Sequence, residues 1–78
     1  MKKELSALGY TQTDEKMFIR FSKRHKWYRK NYNFYLDIII EEYGEKLSVY
    51  ISQDDGFQVI RHGATMEWIK DFDNLLSA

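Results

Sequence analysis

The chain has 78 residues, 44% of them apolar, with 12 Lys/Arg balanced by 12 Asp/Glu and no cysteine. Those figures exclude a disulfide framework, a thiolate metal site and a cysteine nucleophile, and 2 Trp, 6 Tyr and 5 Phe argue against full disorder. A chain this short buries only roughly 60% of its unfolded surface, none of its apolar runs could cross a bilayer, and Lys2-Lys3 leads into Glu4 rather than a secretory apolar stretch.

The expectation is a single cytoplasmic α+β domain over residues 1–78 with no membrane contact. Leu5 and Leu8 at i, i+3, followed by Gly9 as a stop, predict one or two helical turns at the start. Tyr10 to Lys16 is polar and rich in turn residues. Met17 to Ser22 reads as a first strand with Met17, Ile19 and Phe21 on one face. Lys23 to Tyr32 fits neither period well and reads as a long hairpin loop or ragged strand ends.

From Asn33 the pattern sharpens. Phe34, Leu36, Ile38 and Ile40 alternate with Tyr35, Asp37, Ile39 and Glu41, a β-branched strand with one apolar face. A two-residue turn at Gly44-Glu45 pairs Ile40 with Val49 and Ile38 with Ile51, so both strands send apolar residues to one side. A three-residue loop at Asp54-Asp55-Gly56 then pairs Ile51 with Val59 and puts Phe57 on that same side. The two-residue alternative would turn Ile60 inward instead. The chain closes with a helix capped by Thr65, with Glu67 in its first turn and a stripe of Trp68, Ile69, Phe72, Leu75 and Leu76. The predicted fold is a four-stranded antiparallel meander, near 17–22, 33–43, 46–53 and 57–61, with a short N-terminal helix and a C-terminal amphipathic helix on one sheet face.

The zero net charge hides a strong polarity. Residues 1–30 hold nine Lys/Arg against three Asp/Glu, a net +6, and residues 31–78 hold three against nine, a net −6. Such asymmetry is a recognised hint of a polyanion-binding segment. The positive charge peaks at Lys23, Arg24, Lys26, Arg29 and Lys30, interleaved with His25, Trp27 and Tyr28. Closely spaced cations suit phosphate backbones, and Trp27 and Tyr28 offer flat faces for stacking. Nucleic acid is the candidate partner of this basic-aromatic loop, and a solvated charged loop is the alternative. A second candidate surface is the sheet side away from the helices, where the expected register gathers Tyr35, Ile39, Tyr50 and Ile60. It points to a host protein or a second copy of the chain, against ordinary cross-strand pairing.

Catalysis has little support. His25 and His62 have no metal-ligand spacing, Asp54-Asp55-Gly56 lacks the spaced ligands of a calcium loop, and Glu41-Glu42 reads as a charged strand rim. No nucleophile elbow, P-loop or dinucleotide fingerprint is present. The expectation is a non-enzymatic protein with no cofactor and no metal.

The element order is similar to that of double-stranded-RNA-binding domains, but those begin their last helix with lysines. Here that helix begins Thr65-Met66-Glu67-Trp68 and continues to Asp71 and Asp73, which excludes the assignment. Leu8-Gly9-Tyr10-Thr11, Val49-Tyr50-Ile51-Ser52 with Asp54-Asp55, and Thr65-Met66-Glu67 resemble small phage and prophage proteins of Gram-positive bacteria. That resemblance implies an accessory protein in a bacterial cytoplasm, acting on a host factor. It implies no catalytic residue. The net −6 of residues 31–78 separately suits an inhibitor of a host defence or transcription protein that mimics nucleic acid.

Overall fold

A computed structural model describes residues 2–29, 32–53 and 56–77, with the backbone alone at 27–29, 32 and 33. The chain runs α1 (Lys2–Ala7), β1 (Thr11–Asp14), β2 (Ile19–Arg29), β3 (Tyr32–Tyr43), β4 (Lys46–Gln53), β5 (Gly56–His62) and α2 (Met66–Ser77). Among the described residues these form one antiparallel sheet in the order β1-β2-β3-β4-β5, so the architecture is α+β with a five-stranded meander rather than four strands.

The additional strand is β1. Its Thr-Gln-Thr-Asp sequence carries no apolar residue and all four positions are exposed, so it shows none of the alternation that marks a half-buried strand. It is held by pairing with β2, Thr11 opposite Ser22 and Asp14 opposite Ile19.

α1 ends as Gly9 allows. Gly9 has φ +96°, its N–H donates to Ser6 O, and the Tyr10 N–H reaches back to Leu5 O. This is the Schellman arrangement, whose left-handed position favours glycine. It turns the chain sharply and leaves Leu5 fully buried against the sheet. At the other end Thr65 caps α2, its Oγ1 accepting the Trp68 N–H at 3.1 Å.

Both helices cover one sheet face. The core there joins Leu5, Tyr10 and Ile69 to Phe21, Ile38, Ile40, Leu47 and Val49, with Phe72 and Leu76 packed against it. The Gly44-Glu45 connection sets Ile40 opposite Val49 and Ile38 opposite Ile51, as turn and parity required. Three expectations fail at the margins of this core. Met17 precedes β2 and is 85% exposed, and Leu75 points to solvent while Asp73, one turn beyond Ile69, is buried in its place.

The third concerns β5. Gln53 pairs with Gly56, so Ile51 faces Gln58 rather than Val59, and Phe57 and Val59 lie on the open face. Asp54 and Asp55, part of the expected three-residue loop, lie outside the described residues. Between Val49 and Tyr50 the register shifts by one, which leaves Ile60 without an opposite residue. Ile60 follows Gln58 by alternation onto the helix side, where it packs partly buried. That is the outcome of the two-residue connection rather than the three-residue one; the bulge only sets Arg61, and not Ile60, opposite Val49.

Candidate nucleic-acid interface

The basic segment is strand, not loop. β2 continues unbroken through Arg29 and pairs residue by residue with β3, from Ile19 opposite Glu42 to Arg29 opposite Tyr32. β1 accompanies β2 only as far as Ser22, and β4 accompanies β3 only from Asp37 onward. The remainder, 25–29 with 32–36, is therefore a two-stranded ribbon that leaves the sheet. It contributes to an elongated outline of 42 × 25 × 19 Å.

Strand alternation divides the basic residues between two faces. Lys23 and His25 point to the helix side and Arg24 and Lys26 to the open side. On the helix side Lys23 Nζ lies 3.0 and 3.1 Å from the two Asp73 carboxylate oxygens, and His25 Nε2 lies 3.2 Å from Asp73 Oδ1. The Tyr10 hydroxyl donates to that oxygen at 3.4 Å. Burial first, and then the neighbouring Asp73 charge, push the Tyr10 phenol above its ordinary range. Asp73 thus gathers Lys23, His25 and Tyr10 beneath the root of the ribbon.

On the open side Arg24 forms a fork with Asp37, Nε to Oδ1 at 2.7 Å and Nη2 to Oδ2 at 3.0 Å. These hydrogen bonds hold the Asp37 carboxyl below the usual carboxylate range. The Arg24 guanidinium also lies 4.3 Å from the Tyr35 ring centroid. Lys26 is exposed and has no ion pair among the described residues. The side chains of Trp27, Tyr28 and Arg29, and all of Lys30, lie outside the described residues.

Of the five cations, Lys23 faces Asp73 beneath the sheet, Arg24 is engaged by Asp37 and Lys26 is exposed. From Lys23 to Leu36 the sequence has those five Lys/Arg and no Asp or Glu. The ribbon beyond Arg24 therefore bears positive charge without an internal acid. Where β1 ends, a groove of about 490 Å³ opens between Gly9, Thr11, Ser22, Lys23, Arg24 and Asp37; its two cations already face carboxylates.

The second surface is the open face. Ile39 and Tyr50 are cross-strand partners there, and Tyr50 stacks on Phe57 with centroids 5.0 Å apart. Tyr35 lies on the same face, toward the ribbon. Ile60 does not, for the pairing of Gln53 with Gly56 turns it inward, and Phe57 and Val59 take its place. Farther along, Arg20 donates to Glu41 Oε2 at 2.9 Å, and Phe18 stacks on Tyr43 at 4.8 Å. Glu41 is buried, a paired residue rather than a free rim.

Asp37 and Asp73 were the residues that sequence reading passed over. Asp73 had a usable signal, since it falls four residues after Ile69 on the helical stripe. Among the described residues no group of three or more His, Asp or Glu could hold a metal ion, and no helix is long and apolar enough to cross a membrane. No protein-family model matches the chain, and no curated protein or solved structure is detectably similar to it.

Proposed function

We propose that this chain is a small non-enzymatic accessory protein that binds nucleic acid through the β2–β3 ribbon. The observation that carries the reading is the ribbon itself: two paired strands leave the sheet, and residues 23–36 bring five Lys/Arg and no acid. A two-stranded ribbon is of a size that a DNA major groove admits. Lys26, Arg29 and Lys30 would meet phosphates, and Trp27 and Tyr28 would add stacking where bases are unpaired. The resemblance to phage accessory proteins adds a setting to the proposal, a bacterial cytoplasm.

The test is fluorescence anisotropy of labelled single- and double-stranded oligonucleotides at low and physiological salt. Three phosphate contacts on duplex DNA predict that log K falls with log salt at a slope of roughly −3. The Lys26→Glu/Arg29→Glu variant removes binding while its circular dichroism stays unchanged. Binding that survives this charge reversal overturns the proposal.

A second reading, a binding face for a host protein, is favoured by the open face, where Phe57 stays 60% exposed beside Tyr50. In that case Tyr50→Glu releases the partner, with little dependence on salt.

A further inference from the structure

The two edges of the sheet are built differently. β1 offers four polar residues, Thr11 to Asp14. β5 offers seven, Gly56 to His62, with no proline and no lysine, and nothing lies beyond it among the described residues. Proline, lysine and short length are the usual means of keeping an edge strand from pairing with another chain. β5 also presents Phe57 and Val59 on the open face, 60% and 44% exposed. Its bulge lies at the far end, opposite Val49 and Tyr50, and leaves Gly56 to Val59 in regular pairing with β4.

We infer that β5 is a self-pairing edge, at which two copies of the chain join antiparallel into one continuous sheet. The occupant is a second copy because the strand complements itself. Centred on Gln58, a two-fold axis sets Phe57 of each copy beside Val59 of the other, on the same face. Such an interface is isologous and closes at two chains. The net charge of zero removes the general repulsion that would keep copies apart. Backbone hydrogen bonds supply the pairing, and the Phe57–Val59 contacts select the register. The ribbon takes no part, so this inference stands apart from nucleic-acid binding.

Sedimentation velocity of the full chain from low micromolar to millimolar concentration tests it. The mass is expected to rise from one chain to two, and Val59→Lys, an exposed position, is expected to weaken dimerisation at least tenfold. Because the chain has no cysteine, Gln58→Cys gives a second readout that does not depend on that variant's folding. Across the axis the two sulfurs fall within disulfide range, so oxidation yields a covalent dimer, whereas Asn74→Cys on α2 does not. A single-chain mass at every concentration overturns the inference. So does a dimer that Val59→Lys leaves intact and Gln58→Cys fails to cross-link.

Discussion

β2 and β3 build two regions of unlike character. In the body of the sheet they carry Phe21, Ile38 and Ile40, all essentially inaccessible beneath the helices. Beyond Asp37 the same strands continue as a ribbon with no third strand on either side among the described residues. The body is stabilised by apolar burial, which needs layers above it. The ribbon is held by cross-strand pairs and by fastenings at its root. Those fastenings lie on both faces: Asp73 takes Lys23 and His25 on the helix side, and Asp37 takes Arg24 on the open side. A charged arm is thus held by two carboxylates placed where it leaves the core, and Lys26 beyond them is exposed.

The comparison is broken most directly in the core. Ile38→Ala should cost about 2–5 kcal/mol in denaturant unfolding, whereas Lys26→Ala in the ribbon should change stability by less than about 0.5 kcal/mol. Equal costs would refute the division into a stabilising body and a carried arm.

Asp73→Ala comes next. It leaves Lys23 and His25 facing a lost carboxylate and should cost about 3 kcal/mol, reduced in Lys23→Ala/Asp73→Ala because the stranded cation is gone. Additive losses in that double-mutant cycle would show that the pair does not act as a fastening.

Tyr10 sharpens the same point through pH. Its phenol ionises near pH 10 when unfolded and higher when folded. Its contribution is therefore full below about pH 10 and declines as pH rises beyond it. Tyr10→Phe should lose about 0.5–1.5 kcal/mol at pH 7 and show a flatter alkaline decline than the parent, read from denaturation midpoints at pH 7 and pH 11.

The smallest effect belongs to the open-side fastening. Arg24→Ala should lower the denaturation midpoint only slightly, and less still at high salt, because the fork with Asp37 is solvent-exposed. A salt-independent loss would place that pair with the buried group instead.

Much of this was legible locally. Gly9 marked the end of α1, Thr65 the start of α2, and Gly44-Glu45 the register of β3 with β4. Each rests on a backbone preference or a short alternation that neighbouring residues declare on their own. The basic segment was legible as charge but not as strand, because Lys23 to Arg29 carries no apolar alternation and is extended only through its pairing with β3. Of the candidate partner face, Tyr35, Ile39 and Tyr50 were placed correctly by parity, while Ile60 was misplaced by one residue of loop length between β4 and β5.

What the sequence determined by itself was the antiparallel sheet, its apolar face and the uneven charge, all of which follow from period-two patterning and composition. What tertiary structure decided was which charges are paired. A carboxylate distant in sequence, such as Asp73, reaches Lys23 and His25 only when α2 settles on the sheet. Ion pairing depends on distance in space, and that distance is set by packing.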